Sequence, residues 1–232
     1  MVPGANHSRG SPATEPIGHR MPRSYDQFCP AARALDVVGE RWSLLIVRDL
    51  LAGPKRFKEL REGLPGIATN LLASRLRSLE RDGVVRKDRL APPAGSLVYE
   101  LTERGRALQP VLRELANWGT PRLGAPRRTD SVDLDRILLI GLGKIKPMRP
   151  PPELRETYEL RVGKHAYTIR VAEGEARVTR GSSERPDLVV TLDRKTLLSF
   201  VAGTLTREGA LRTKFEGEPE VIRRYLDLLR NR

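Results

Sequence analysis

The chain has 232 residues, of which 42 are Lys or Arg and 29 are Asp or Glu, giving a formal net charge of +13. This length suits one or two domains, and a basic balance favours nucleic acid or another polyanion as the partner. Its single cysteine, Cys29, excludes an intramolecular disulfide framework. No apolar run approaches the ~18 residues of a membrane helix. We therefore expect a cytoplasmic, reducing-compartment protein without a membrane partner, metal or cofactor.

Composition and breaker residues divide the chain into four segments. Residues 1–24 are rich in Pro and Gly without an apolar stretch, which predicts a disordered arm rather than a secretory signal. A Pro- and Arg-bearing stretch at 120–130 predicts a linker. The domains predicted on either side of it are 25–119 and 131–232. Both halves are basic, so charge does not indicate which half meets an anion.

The first half has a helical pattern that ends in a hairpin. A tight turn at Pro65-Gly66 separates the helical segments 56–64 and 69–83. Pro110 is expected to kink the final helix, whose N-terminus Thr102 can cap. The predicted helices are 34–39, 41–53, 56–64, 69–83 and 103–118, and the predicted strands are 84–89 and 96–101, joined by 90–95.

This order predicts a winged helix-turn-helix, in which the helix 69–83 would enter a DNA major groove. Its face opposite Leu72, Leu76 and Leu79 carries short polar and long cationic side chains, at ~100° per residue. The alternative is an ordinary solvated helix face. The hairpin cations suit phosphates beside the groove. The candidate DNA-binding residues are Arg56, Lys58, Thr69, Asn70, Ser74, Arg75, Arg77, Ser78, Arg81, Arg86, Lys87 and Arg89.

Residues 28–119 resemble the HxlR-type winged-helix regulators. The resemblance rests on Gly39-Glu40-Arg41-Trp42 with the apolar run after it, Arg56-Phe57 with Leu60, Gly66-Ile67, and Tyr99-Glu100-Leu101-Thr102 with Gly105. It implies a dimeric bacterial transcription regulator that binds a pseudo-palindromic operator. We expect the apolar stripe of helix 103–118 and residues near Phe28 to form the homodimer surface.

Two residues near the start of this domain invite separate interpretations. Trp42 is expected to be a core aromatic that anchors helix packing. Some regulators of this family sense oxidants through a cysteine near the start of the domain, so the resemblance makes Cys29 a candidate redox residue. The alternative for Cys29 is a small buried hydrophobe.

The second half has the alternation of an α+β domain with one covered sheet face. The pattern predicts a helix over 131–143, a helix from Asp193 to Gly203 and a last helix beginning near Pro219. In that last helix, Ile222, Tyr225, Leu226 and Leu229 are expected to point inward. Four antiparallel strands are predicted at 157–162, 165–171, 175–180 and 187–192, with a fifth at 210–215.

Residues 131–230 resemble the sterol-carrier-protein-like domains. The carrying residues include Gly174, Arg185-Pro186-Asp187-Leu188, Thr191 and Leu197-Leu198 with Gly203. The resemblance implies an antiparallel-sheet domain with a pocket for a fatty-acyl or sterol-like ligand. The candidate pocket residues are Leu197, Leu198, Val201, Phe215 and Ile222. A filled core is the alternative.

These features predict a DNA-binding transcription regulator whose operator binding is modulated by an apolar ligand. A lipid carrier whose basic head serves only localisation is a second hypothesis, and redox regulation through Cys29 is a third. An enzyme is disfavoured, because the chain has no G-x-S-x-G, H-E-x-x-H or G-x-x-x-x-G-K-[ST] motif.

Overall fold

A computed structural model describes residues 24–89, 95–124, 126–145 and 149–230. The described residues fall into two compact units, one within residues 24–40 and the other within 41–232. The predicted arm lies outside the described residues apart from Ser24, and so does the wing tip at 90–94. Within the described residues, every helix is too short or too polar to cross a bilayer.

The first unit contains the helix α1, Pro30–Val38. Pro30 begins this helix, where its missing N–H and restricted φ are tolerated. The carboxylate of Asp36 accepts hydrogen bonds from the Tyr25 N–H and the Ser24 hydroxyl. These bonds fold the segment before Cys29 against the last turns of the helix.

The second unit begins with a helix-turn-helix and a hairpin, which confirms the predicted order. Gly66, at φ +88°, supplies the left-handed residue in the turn before the helix that begins at Thr69. The elements are α2 (Ser43–Leu50), α3 (Phe57–Gly63), α4 (Thr69–Arg81), β1 (Val85–Arg89), β2 (Leu97–Leu101), α5 (Glu103–Arg106) and α6 (Gln109–Gly119). β1 and β2 pair antiparallel, from Val85 opposite Leu101 to Arg89 opposite Leu97.

The predicted helix 103–118 is two helices rather than one kinked helix. Thr102 caps α5 by accepting the Gly105 N–H, as predicted. Pro110 lies in the first turn of α6 instead of in a helix interior. In the first turn its missing N–H costs no helical hydrogen bond, whereas a proline inside one continuous helix would remove such a bond. The chain therefore ends α5 before the proline and begins α6 next to it.

The C-terminal region is a five-stranded sheet packed by helices, in the strand order β5-β4-β3-β6-β7. It follows a π-helix, Arg136–Ile145, where an α-helix was expected. The strands are β3 (Glu156–Val162), β4 (His165–Ala172), β5 (Glu175–Arg180), β6 (Leu188–Leu192) and β7 (Lys214–Gly217), and the helices are α7 (Arg194–Val201), α8 (Arg207–Leu211) and α9 (Pro219–Arg230). The chain is therefore α+β, with a sheet-rich C-terminal region.

Two strand predictions need correction. β3 and β6 pair parallel, with Tyr158 opposite Leu188, so the sheet is mixed rather than antiparallel. The β4–β5 hairpin lies between them in the chain and provides the long connection that parallel pairing requires. The predicted fifth strand at 210–215 begins only at Lys214, because Thr206 caps the short helix α8 before it.

The sheet core contains Tyr158, Tyr167, Leu188 and Leu138, each fully buried. α9 covers it through Tyr225 and Leu228, and the Tyr225 ring meets Tyr158 edge-on at 5.1 Å. Leu226 is 40% exposed, so the prediction that it faces inward is wrong. Leu228 takes that place, as a residue three positions from Tyr225 lies on nearly the same helix face.

Candidate nucleic-acid interface

Helix α4 separates a buried apolar side from an exposed polar side. Leu72, Leu76 and Leu79 are at most 1% exposed. Asn70 and Arg77 lie on the opposite side and are exposed, together with Thr69 and Arg81 at the two ends of the helix. Packing of the leucines therefore holds the polar side towards solvent, where it can meet a major groove.

The other three candidates on α4 are half-buried. Ser74 and Ser78 lie between the two sides of the helix. The Arg75 guanidinium donates to the Arg41 carbonyl at 3.2 Å, next to Trp42, whose φ of +82° is left-handed. Trp42 is itself half-buried rather than a fully buried core residue. Arg75 thus stabilises the turn that starts α2.

Two exposed cations lie on α3 and just before it. Arg56 precedes the helix, and its backbone N–H donates to the Glu59 carboxylate at 2.6 Å. Lys58 forms an exposed i,i+4 pair with Glu62 at 3.8 Å. Exposed pairs of this kind contribute little to stability, so the Lys58 ammonium can exchange its partner for a phosphate.

All three wing cations are exposed, and two of them pair with carboxylates. Arg86 contacts Glu100 on β2, and Lys87 donates to Glu80 of α4 at 2.7 Å. The hydrogen bond to Glu80 raises the pKa of Lys87. Arg89 is also exposed and reaches the Gly95 carbonyl at 3.5 Å. The Lys87–Glu80 bond connects the wing to α4, which sequence spacing did not reveal.

The five candidate pocket residues occupy different surroundings. Leu197 is buried in the sheet core, and Phe215 and Ile222 pack against that core. Val201 also packs there, yet lines a cavity of about 840 Å³ together with residues of α6 and the π-helix. Leu198 and Val201 line a neighbouring recess next to the 120–130 segment. The cavity therefore lies between α6 and the C-terminal region.

A buried carboxylate, Asp49 of α2, joins the winged helix to the C-terminal region. Its side chain is 3% exposed, and its Oδ1 lies 2.8 Å from Arg48 Nη2 and 3.4 Å from Arg136 Nε. Arg136 also donates to the Gly63 carbonyl. A Cβ on Gly63 would lie 2.7 Å from Asp49 Oδ2, so a side chain at this position would displace the Asp49 carboxylate from its arginine partners. Burial lowers the pKa of Arg48, an effect opposed by Asp49.

Sequence reasoning missed this cluster, although the chain holds one signal of it. Asp49 lies three residues after Ile46 and next to Leu50, both buried, on the inward side of α2. A carboxylate at an inward helical position requires a buried partner. The sequence could not show that the partner, Arg136, lies 87 positions further along.

Cys29 and the α6 stripe have defined positions. Cys29 is half-buried and directly precedes α1.

On α6, Leu112 is buried, whereas Val111, Leu115 and Trp118 are 46%, 45% and 69% exposed. Their i, i+4, i+7 spacing places these three on one face of the helix. Such an exposed apolar stripe is a candidate association surface.

The chain matches the family model for HxlR-like helix-turn-helix proteins over residues 37–125. It is 39% identical over 95 residues to the uncharacterised HTH-type transcriptional regulator YvaP of Bacillus subtilis, covering 40% of this chain and 88% of YvaP. It is 42% identical over 92 residues to the HTH-type transcriptional regulator YodB of the same organism, covering 39% of this chain and 82% of YodB. A structure of the reduced form of YodB covers 40% of this chain and 92% of YodB, at 40% identity and a TM-score of 0.37. All three matches cover about two-fifths of this chain.

Proposed function

Since the chain belongs to the HxlR-like helix-turn-helix family of transcriptional regulators, we propose that it binds a pseudo-palindromic operator as a homodimer. The observation that carries this proposal is the outer side of α4, where Asn70 and Arg77 are exposed opposite three buried leucines. An arginine can bond bidentately to guanine and an asparagine to adenine. Phosphate contacts from the wing would fix the register of the helix in the groove.

The dimer in this proposal uses the face of α6 that carries Val111, Leu115 and Trp118. A two-fold axis near this face would present two copies of α4 to successive turns of the duplex. Burying the three side chains also removes apolar surface from water, which favours association. Leu115→Glu is expected to give monomer mass in light scattering, whereas the wild-type chain gives dimer mass.

The C-terminal region acts in this proposal as an effector domain of sterol-carrier-protein type. Its mixed sheet, covering helices and adjoining cavity support a role in apolar-ligand binding. Ligand binding and operator binding would then be coupled reciprocally, each changing the other by the same factor. Asp49 and Arg136 offer a physical route, because one lies on α2 and the other on the π-helix.

The deciding experiment is to sequence the genomic fragments retained by the purified full-length protein. Titration of the selected duplex and a shuffled duplex at several salt concentrations follows. We expect the selected duplex to bind at least ~10³-fold more tightly at physiological salt. Equal affinity for the two duplexes would reject operator recognition and favour the lipid-carrier hypothesis, which the cavity also supports.

Redox control through Cys29 stays a separate hypothesis. A half-buried thiol is accessible to oxidants in solvent. Diamide is expected to oxidise the Cys29 thiols of two protomers to one intermolecular disulfide, being itself reduced to the hydrazine, and so to weaken operator binding by the wild-type protein while leaving Cys29→Ser unchanged. A response that persists in Cys29→Ser would exclude this role, because the chain has no other cysteine.

A further inference from the structure

The cavity between α6 and the C-terminal region has an unusual combination of walls. Among the described residues that line it, four are arginines and none is acidic. The arginines are Arg48, Arg113, Arg136 and Arg149. The apolar part of the lining includes Ala116, Ile137, Ile140, Leu142, Phe200 and Leu229. The volume of about 840 Å³ lies in the range of small-molecule sites, ~300–1,000 Å³.

The four arginines differ in how firmly they are held. Arg48 and Arg136 share the buried carboxylate of Asp49. Arg113 forms a pair with Glu114 at 3.1 Å, and that glutamate is 68% exposed. Arg149 is exposed. A solvated pair such as Arg113–Glu114 is weak, so Arg113 and Arg149 can turn to an anion at little cost.

The chemistry of the lining selects among ligand classes. A neutral apolar molecule would remove water from guanidinium groups without compensating their charge, which is unfavourable. A cationic amphiphile would be repelled by them. A molecule with an apolar body and one carboxylate satisfies both parts, since arginine bonds carboxylates with two parallel N–H···O contacts.

We propose that this cavity binds an amphiphilic carboxylate, with its apolar body against Ile137, Ile140 and Phe200 and its carboxylate on Arg113 and Arg149. The proposal deepens the effector role proposed above, on which it rests for its regulatory meaning. It moves the ligand from the sheet core, where Leu197 is buried, to the junction with α6.

The test compares three ligands with one twelve-carbon chain on the full-length protein without DNA. Dodecanoate, 1-dodecanol and dodecyltrimethylammonium are titrated by calorimetry, the two ions below their micelle concentrations and dodecanol below its solubility limit. We expect dodecanoate to bind about a hundredfold more tightly than dodecanol, corresponding to one charge-assisted contact with each of the two arginines, and the cation not to bind. Dodecanoate binding no tighter than dodecanol, or no binding of dodecanoate, overturns the proposal.

Substitutions of residues that line the cavity test whether dodecanoate binds there. Arg113→Gln and Arg149→Gln are each expected to weaken dodecanoate about tenfold and to leave dodecanol unchanged. Arg177→Gln, an exposed arginine of β5, is the matched control and should bind like wild type. Ala116→Trp fills the cavity and should abolish binding of both ligands, with circular dichroism confirming the fold. Unaffected dodecanoate binding in the two glutamine variants, or in the filled variant, places the ligand elsewhere and overturns the proposal.

The DNA measurement separates this inference from the proposed function. Failure of dodecanoate to bind a protein that still selects its operator refutes the cavity assignment alone. Dodecanoate binding with the expected head-group preference, in a protein without operator preference, supports the cavity assignment and refutes operator recognition.

Discussion

The outer side of α4 and the C-terminal sheet place their charged groups in opposite environments. On α4, Arg77 and Arg81 are exposed, and Arg81 contacts only the partly exposed Asp82 among the ion pairs described for it. In the sheet, Glu159 is 1% exposed, accepts from Arg161 at 2.6 Å and also accepts the Ser183 N–H at 2.8 Å. The exposed charges are available to a polyanion, whereas the buried ones are already used within the fold.

A second sheet carboxylate shows the same use of charge. Glu156, 8% exposed, accepts from the Tyr158 hydroxyl at 2.6 Å and from Arg224 at 2.7 Å. Burial, and then the bond to Glu156, raise the pKa of Tyr158, so its hydroxyl stays protonated and donates. Buried charges of this kind are costly unless fully paired. We therefore expect substitutions in the two environments to differ in kind, affecting stability in one and DNA binding in the other.

Among these predictions, substitution of Asp49 is expected to give the largest change in free energy, as a loss of stability. Asp49→Asn removes the buried carboxylate from the partly buried Arg48 and leaves Arg136 only its 3.7 Å contact with the half-exposed Asp133. It should lower the free energy of unfolding by about 3 kcal/mol, the lower end for a broken buried pair. Chemical denaturation measures this decrease. Asp88→Asn on the exposed edge of β1 is the control and should change stability by less than ~0.5 kcal/mol. Equal stability of the two variants would show that Asp49 is not a structural charge.

The next effect tests the exposed side of α4. Arg77→Ala and Asn70→Ala should each weaken operator binding by ~1–3 kcal/mol and relax the preference at one base pair. Their free energies of unfolding should match the wild type, because both side chains are exposed. Arg177→Ala on the C-terminal sheet is the matched control. If both α4 variants bind the operator like the wild type, another face of the domain reads the bases.

The wing is expected to give a sequence-independent effect. Alanine at Arg86, Lys87 and Arg89 together should reduce the slope of log affinity against log salt by ~0.9 for each phosphate that the wing no longer neutralises. The ion pairs of the wing sharpen this test. Glu80→Gln and Glu100→Gln free Lys87 and Arg86, and should strengthen binding to random duplexes. An unchanged slope in the triple variant would contradict phosphate binding by the wing.

The smallest effect concerns Asp193, whose carboxylate caps α7 by accepting the Thr196 N–H at 2.7 Å. Asp193→Ala should cost ~1 kcal/mol of stability at neutral pH. The hydrogen bond from the Thr196 backbone lowers the pKa of Asp193. The contribution of the cap is therefore present above the unfolded pKa of about 4 and disappears as pH falls through the lower folded value. A deficit that is the same at pH 7 and pH 2 would contradict the charged cap.

Short-range patterns account for what the sequence determined by itself. The 3.6-residue spacing of Leu72, Leu76 and Leu79 determines both the buried side of α4 and, by exclusion, its exposed side. Caps at Thr102 and Asp193 are equally local, since each side chain reaches a backbone N–H three residues on. The strands of the C-terminal sheet were predictable to within about two residues, except that the last one begins later than expected.

Pairings between distant segments were decided only by the tertiary structure. The parallel pairing of β3 with β6, the partnership of Asp49 with Arg136, and the cavity beside α6 each join residues whose separation leaves no periodic trace in the sequence. The spacing of apolar residues indicates which side of an element is apolar, but it cannot indicate which other element covers that side. Of the five residues predicted to line a pocket, Leu197 is buried in the sheet core, and Phe215 and Ile222 pack against it. Val201 lines the cavity beside α6, and Leu198 lines a neighbouring recess. Their division between a filled core and an arginine-lined cavity depended on how α6, the π-helix and α7 pack together.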